Sequence, residues 1–163
     1  MIKNIIFDWG DTVMRDYPEL SGPMFSWPHV ELIPFIHEAL IELKSKYNLI
    51  IATNAGESDT AAMIKALERV DVNGFFSLFY SSKDLGVSKP NPEFFIKVCS
   101  SSNIIPTETV MIGNDYNKDI ISAKAAGLKT VFFNEKMVKG DFSNADIIIY
   151  SMYHLLKSID QIH

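Results

Sequence analysis

Cysteines, clustered basic residues and long apolar runs are scarce or missing in this chain of 163 residues. The single cysteine, Cys99, excludes a disulfide framework or a cysteine-based zinc site within the chain, and its apolar helical surroundings predict a buried thiol. The 15 lysines and arginines form no cluster and are outnumbered by 20 acidic residues, so the charge pattern of a nucleic-acid binder is missing. No apolar run approaches the roughly 20 residues of a membrane-spanning helix. We therefore expect a globular protein of a reducing, cytoplasmic environment, with neither nucleic acid nor membrane as partner.

Apolar residues are plentiful by contrast, at 47% of the chain, which suits one domain over residues 1–163 with its own core. Met1 to Asn4 lead directly into the first apolar run, so we expect no signal peptide. Short apolar runs alternate with helical patterns, which predicts an α/β fold: a three-layer, Rossmann-like parallel sheet with helices on both faces. The predicted strands are residues 4–8, 49–53, 78–81, 109–112, 130–133 and 147–150. The predicted helices are residues 34–46, 58–70, 92–99 and 118–126, and a last one that Ser151 begins.

Residues 14–29 fit neither the strand nor the helix pattern. They contain Pro18, Pro23 and Pro28, with aromatic side chains scattered between them. Proline fixes φ and removes a backbone donor, so repeated prolines interrupt helices and strands alike. We expect this segment to form an ordered loop at the rim of the functional site.

Four short segments place reactive or charged side chains where apolar runs end or a helix begins. Asp8 and Thr53 end the first two apolar runs, and Lys89 precedes a helix start marked by prolines. A later run ends in the carboxylates Asp115 and Asp119. Because ligands of an open α/β sheet bind at the carboxyl ends of its strands, we expect these groups to meet there. The segments are IIFDWGDTV (residues 5–13), LIIATN (49–54), GVSKPNP (86–92) and VMIGNDYNKD (110–119).

This ordered set resembles the haloacid dehalogenase-like superfamily, whose members are mostly magnesium-dependent phosphatases. The resemblance runs from about Ile5 to Leu156, and it includes AKAAGL (residues 123–128) and the late strand ADIII (145–149) before a terminal helix. It implies a phosphoric monoester hydrolase that acts on a small phosphorylated substrate or a phosphorylated macromolecule. In this superfamily a helical cap domain often follows the first motif, and here it is absent or reduced to the loop 14–29. Such an open site could accept bulky substrates or be closed by a second subunit, so a homo-oligomer stays open as an alternative.

The resemblance also implies a role for each residue at the strand ends. Asp8 would be the nucleophile that forms an aspartyl-phosphate, which water then hydrolyses. Thr53 and Asn54 would bind phosphoryl oxygens. Lys89 would neutralise both the nucleophilic carboxylate and the phosphoryl group.

A magnesium ion, with manganese as the alternative, is the cofactor that the resemblance implies. It would bind the nucleophilic carboxylate and the main-chain carbonyl of Gly10. The family commonly has its third ligand directly after the glycine of the acidic segment, where this chain has Asn114. Asp115 follows at once, and we predict Asp115 as the ligand, with the amide oxygen of Asn114 as the alternative. Asp119 would support the site through Lys89 or a metal-bound water.

The first motif departs from the family pattern at one important position. The family's phosphatases usually carry a second aspartate two residues after the nucleophile, where it protonates the leaving group and later activates water. This chain has Gly10 there and Asp11 after it, and Asp11 can replace the missing acid only if the turn directs it inward. General acid–base catalysis contributes typically ~10²–10⁴-fold in rate, so the substitution matters.

Three functions stay open after this comparison. The leading interpretation is a metal-dependent phosphatase, slow because of Gly10. The second is a module that binds a phosphorylated ligand without efficient turnover. The third is another hydrolase reaction of the superfamily, but a dehalogenase needs no metal site such as Asp115 and a phosphonatase relies on a lysine from a cap.

Overall fold

Six strands form one fully parallel sheet in this computed structural model, which describes residues 1–56 and 58–162. The strand order is β3-β2-β1-β4-β5-β6, so the first strand of the chain lies near the centre. The strands are β1 Asn4–Phe7, β2 Asn48–Thr53, β3 Leu78–Ser81, β4 Thr109–Gly113, β5 Lys129–Phe133 and β6 Ile147–Ile149. All six predicted strands are confirmed, with ends that differ by one residue or none in most cases.

The central strands are buried on both faces, as is usual for a parallel sheet with helices on each side. Alternate residues of β1 point to opposite faces. Ile5 and Phe7 belong to one apolar cluster, together with Leu40 from one helix, whereas Ile6 belongs to a second cluster with Phe94 from another. The α/β fold with helices on both faces is therefore confirmed.

The helices lie between successive strands along the chain, except the last helix, which follows β6. They are α1 Ile36–Lys44, α2 Thr60–Glu68, α3 Ser82–Leu85, α4 Glu93–Ser102, α5 Ser122–Ala125 and α6 Leu155–Ile159. Within residues 1–56 and 58–162, no helix has the length and apolarity that crossing a bilayer requires.

Four helices begin elsewhere than predicted, and one of them is α2, which starts at Thr60 rather than at residue 58. The first starts at Ile36 rather than Pro34, because Phe35 adopts a left-handed backbone with φ of 66°. The helix predicted from residue 118 begins two residues earlier, as a π-helical segment Tyr116–Ile121 that continues into α5. Helix α4 starts at Glu93 rather than at residue 92, and the side chain of Asn91 just before it accepts a hydrogen bond from the main-chain N–H of Glu93, as an N-cap does. The short helix α3 was not predicted.

The segment 14–29 is a loop that packs against α2. Met14 forms an isolated antiparallel bridge with Leu32, and the loop contains one short 3-10 turn at Met24–Ser26. The indole N–H of Trp27 donates to the Gly22 carbonyl at 3.1 Å. Met14, Met24 and Trp27 are buried in the larger apolar cluster, which holds the loop in place.

Candidate active site

A cavity of about 340 Å³ opens at the carboxyl ends of β1, β2 and β4, where parallel sheets usually bind ligands. Its size is in the range of small-molecule sites. The loop 14–29 contributes Asp16, Gly22, Met24 and Trp27 to its wall. The cavity brings together every predicted site residue except Asp11, namely Asp8, Gly10, Thr53, Asn54, Lys89, Asn114, Asp115 and Asp119.

Asp8 lies directly after β1 and is 8% exposed. Its main-chain N–H donates to the Ile112 carbonyl at 3.0 Å, which ties the start of the turn to β4. Its Oδ1 accepts hydrogen bonds from the Thr53 hydroxyl at 2.8 Å and from Lys89 Nζ at 2.9 Å. A hydroxyl and an ammonium thus stabilise the charged form of one carboxylate oxygen and fix its direction.

Lys89 is the cation at the centre of this arrangement, with only 4% of its surface exposed. Its ammonium contacts Asp8 at 2.9 Å and Asp119 at 2.6 Å. Burial alone would lower the pKa of Lys89, but the two carboxylates outweigh burial and raise that pKa above its usual range. Lys89 therefore stays protonated at neutral pH.

Asn54 fixes the main chain of Lys89 rather than extending freely into the cavity. Its amide nitrogen donates to the Lys89 carbonyl at 2.8 Å, and its amide oxygen accepts from the Lys89 N–H at 2.9 Å. This paired contact joins the end of β2 to the loop before α4. Asn54 lines the cavity as predicted, but its polar atoms are already used in holding the lysine.

Asp119 is 1% exposed and reaches Lys89 only because of a glycine at the end of β4. A Cβ atom on Gly113 would lie 2.3 Å from Asp119 Oδ2, so no other residue type leaves room there. The same Oδ2 accepts the main-chain N–H of Asp115 at 3.0 Å. Burial and the Asp8 carboxylate raise the pKa of Asp119, while the ammonium of Lys89 opposes the rise. The direct ion pair favours the charged form of both partners.

Oxygen atoms suited to a hard cation converge on the other side of Asp8. The outer end of the Asn114 amide lies 3.2 Å from both Asp8 Oδ2 and the Gly10 carbonyl. In one orientation of the amide, its nitrogen occupies this position and donates hydrogen bonds to both oxygens. In the flipped orientation, Asn114 Oδ1 occupies the position and forms a group of three oxygens with Asp8 Oδ2 and the Gly10 carbonyl. Adjacent ligands of an octahedral magnesium ion at about 2.1 Å lie about 3 Å apart, so the distance from the Asn114 amide to each of the other two oxygens suits such an ion.

The group of oxygens around Asp8 Oδ2 is not a cluster of carboxylates. Within residues 1–56 and 58–162, no three histidine, cysteine or acidic side chains converge as a metal site. The oxygen set combines one carboxylate, one amide and one main-chain carbonyl instead. Asp115, the predicted ligand, has its Oδ1 engaged with the main-chain N–H of Lys118 at 2.9 Å, where it caps the π-helical segment.

Asp11 faces away from the main cavity. It adopts a left-handed backbone with φ of 56°, and it borders a second cavity of about 60 Å³ beside Glu135. Its Oδ1 accepts the main-chain N–H of Asp16 at 3.0 Å and lies 3.7 Å from Arg15 Nη1. The backbone conformation of the turn therefore directs this carboxylate outward, where it closes the loop Asp11–Asp16.

Asp16 lines the cavity, although the sequence patterns did not predict it as a site residue. Its surface is largely exposed. Partial burial of the carboxyl group and the nearby carboxylates of Asp11 and Asp8 raise its pKa above the usual range. It lies in a segment without helical or strand periodicity, so no pattern assigned it a direction. The only available signal was its position in the loop that follows the nucleophile.

Comparisons with known proteins agree with this arrangement. A family model described as haloacid dehalogenase-like hydrolase matches residues 6–133. A glyceraldehyde 3-phosphate phosphatase from Pyrococcus furiosus is 29% identical over 134 residues, which are 79% of this chain and 55% of the relative. A phosphoglycolate phosphatase from Escherichia coli is 29% identical over 136 residues, which are 81% of this chain and 52% of the relative. The chain thus spans about half the length of the curated relatives it matches.

Solved structures extend the similarity over nearly the whole chain. A haloacid dehalogenase-like (HAD) phosphatase from Thermococcus onnurineus superposes with a TM-score of 0.83 at 19% identity, covering 97% of this chain and 98% of the other. At this level of identity the similarity establishes the fold.

Proposed function

Because this chain belongs to the haloacid dehalogenase-like hydrolase family, we propose that it is a magnesium-dependent phosphatase with Asp8 as its nucleophile. One observation carries the proposal. The Asp8 carboxylate is buried at a strand end, with Oδ1 held by Thr53 and Lys89 and Oδ2 directed at the oxygen group of Gly10 and Asn114. A carboxylate held in this way has a fixed direction and lies between the ammonium of Lys89 and the proposed cation site.

The cation site that we propose consists of Asp8 Oδ2, the Gly10 carbonyl and Asn114 Oδ1. The 3.2 Å distance from the Asn114 amide to each of the other two oxygens supports this assignment. Asp115 is less suited, because its Oδ1 accepts the main-chain N–H of Lys118 in a helix cap. When bound, a magnesium ion would neutralise charge on the phosphoryl oxygens and on Asp8.

The residues of the chain divide the chemistry between them. Asp8 attacks phosphorus, the bond to the ester oxygen breaks, and the alcohol leaves; water then hydrolyses the aspartyl-phosphate and restores the carboxylate. The Thr53 hydroxyl is free to turn from Asp8 to a phosphoryl oxygen. Lys89 keeps its position throughout, because Asp119 and the backbone contact with Asn54 hold it independently of the substrate.

A small phosphorylated metabolite is the substrate class that we propose. The relatives from Pyrococcus and Escherichia are named for three-carbon and two-carbon phosphate esters. The cavity volume of about 340 Å³ has room for a phosphoryl group and a few further atoms. Met24 and Trp27 offer an apolar wall to the rest of the substrate.

The first experiment is the hydrolysis of 4-nitrophenyl phosphate with and without magnesium, for the wild type and Asp8→Asn. We expect activity that requires the ion, and a loss of at least ~10³-fold in the variant because the nucleophile is gone. Asp71→Asn is the matched control, since Asp71 is exposed, remote from the cavity and has the left-handed backbone that asparagine tolerates.

Two other results would point elsewhere. Equal turnover by the wild type and Asp8→Asn would exclude Asp8 as the nucleophile. A folded wild type that binds inorganic phosphate in the presence of magnesium, but forms no phosphoenzyme, would favour a ligand-binding module.

A further inference from the structure

We propose that Asp16 is the general acid and base of this site, an inference that rests on the proposed phosphatase function. It replaces a carboxylate that the first motif lacks at Gly10. In the structure, the side chain of Asp16 reaches into the cavity from the loop 14–29, on the same side as Gly10.

The main geometric argument is that Gly10 and the side chain of Asp16 lie next to each other. A Cβ atom built on Gly10 would lie 3.5 Å from the Cβ, 3.8 Å from the Cγ and 3.9 Å from the Oδ2 of Asp16. A side chain at residue 10 would therefore contact the side chain of Asp16, so the two positions border the same part of the cavity. The chain supplies a carboxylate there from six positions further along.

The other acidic side chains of the cavity wall are committed to different contacts. Among the described residues, the acidic side chains of this wall are Asp8, Asp16, Asp115 and Asp119. Asp8 and Asp119 share the ammonium of Lys89, and Asp115 caps a helix. Asp16 takes part in none of the ion pairs found within residues 1–56 and 58–162, so it is available to exchange a proton with a substrate.

Hydrogen bonds within the turn between Gly10 and Asp16 hold the main chain of Asp16 in place. Asp11 N–H donates to the Met14 carbonyl at 2.7 Å, and the Asp11 carboxylate accepts the Asp16 N–H at 3.0 Å. Arg15 extends to Glu135 with an Nη1 to Oε1 distance of 2.5 Å. Asp11 is accordingly a positioning residue, whose carboxylate supports the backbone of Asp16 from outside the cavity.

Asp16 acts in both halves of the reaction. As Asp8 forms its bond to phosphorus, the bond from phosphorus to the ester oxygen breaks, and that oxygen takes the proton of the Asp16 carboxylic acid to leave as an alcohol. Asp16 then removes a proton from the water that attacks the aspartyl-phosphate. The bond from phosphorus to Asp8 breaks, inorganic phosphate leaves, and Asp16 is protonated again.

The test compares leaving groups in the wild type and Asp16→Asn. An acid matters most when the leaving oxygen is strongly basic, so kcat/KM for phenyl phosphate should fall about 10²–10⁴-fold, and for 4-nitrophenyl phosphate by less than about 10-fold. With 4-nitrophenyl phosphate the variant should release one equivalent of nitrophenol rapidly and then turn over slowly, because the phosphoenzyme forms but is not hydrolysed. Glu19→Gln, an exposed change in the same loop, should leave both substrates unaffected.

A relocated carboxylate provides the complementary test. In Asp16→Ala the space beside Gly10 is vacated, so the double variant Gly10→Asp/Asp16→Ala should recover at least about 10-fold of the lost kcat/KM for phenyl phosphate. The single variant Gly10→Asp brings two carboxylates together and should show no such gain.

Three outcomes separate the possibilities. If kcat/KM in Asp16→Asn falls equally for phenyl phosphate and 4-nitrophenyl phosphate, or does not fall, the inference is overturned while the phosphatase proposal survives. A loss that depends on the leaving group in Asp11→Asn, and not in Asp16→Asn, would overturn it in favour of Asp11. A wild type that neither turns over nor forms a phosphoenzyme would overturn both proposals together.

Discussion

Lys89 is the residue on which the stability of the site depends most directly. Its ammonium is buried between the carboxylates of Asp8 and Asp119, and removing it leaves two negative charges without a partner. Breaking a buried ion pair in this way typically costs about 3–5 kcal/mol. We expect Lys89→Met to lower the free energy of unfolding by about that amount at pH 7, measured by denaturant titration. Lys83→Met, at an exposed position, should change it by no more than about 0.5 kcal/mol.

The same variant has a pH dependence whose sign follows from linkage. Without Lys89, burial and the Asp8 carboxylate raise the folded-state pKa of Asp119 above the unfolded value of about 3.9, with no ammonium to oppose the rise. The folded state then binds protons more readily than the unfolded state, and its stability falls as pH rises through that interval. The deficit of Lys89→Met relative to the wild type should therefore shrink between pH 7 and pH 4. A deficit that stays constant would show that charge is not its cause.

At the scale of elements, the contact between β4 and the π-helical segment decides where Asp119 lies. Gly113 ends β4, and a methyl group there would lie 2.3–2.5 Å from the atoms of Asp119. We expect Gly113→Ala to displace the segment, to lower the free energy of unfolding by about 1–3 kcal/mol, and to reduce turnover because Lys89 loses a partner.

Gly74→Ala is the matched control for this change. A Cβ at Gly74 meets no atom within 4 Å, so its unfolding free energy should stay within about 0.5 kcal/mol of the wild type. Unchanged stability and turnover in Gly113→Ala would mean that the segment shifts freely and does not set the position of Asp119.

The elements also show which features are readable from sequence. The strands were predictable because buried parallel strands appear as continuous apolar runs, and the polar residues at their ends followed from that. The outward direction of Asp11 depends on a single left-handed φ, and the approach of Asp16 depends on the path of an aperiodic loop. The choice between Asn114 and Asp115 depends on a helix that starts at Tyr116 rather than residue 118. Tertiary contacts decide these three features, and local patterns do not record them.

At the scale of the whole molecule, cation binding should couple to folding. An ion that binds only the folded state, and whose free concentration is about 100 times its Kd, stabilises the folded state by about 2.7 kcal/mol. For a chain of this size that corresponds to a rise of roughly 5–10 °C in Tm. We expect magnesium to produce such a rise in thermal unfolding followed by circular dichroism, and EDTA to reverse it.

Two neighbouring variants identify the ligand by the same measurement. Asn114→Ala should raise the magnesium concentration needed for half of the Tm shift by at least about 10-fold, since it removes one of the three oxygens beside Asp8. Asp115→Ala should lower Tm without magnesium, through loss of a helix cap, and keep the shift. The reverse pattern would make Asp115 the ligand.

The central place of β1 has a consequence for the order in which the molecule assembles. Asn4 pairs with Asn48 on one side and with Thr109 on the other, so β1 is enclosed only after the chain has been made as far as Thr109. Contacts between residues so far apart in sequence close slowly. A nascent chain that ends before β4 exposes one edge of β1 to chance pairing, and the turn that contains Asp8 gains its neighbour β4 only afterwards. A chaperone, or a change in the rate of translation, would thus affect the pairing of the strand that leads directly into Asp8.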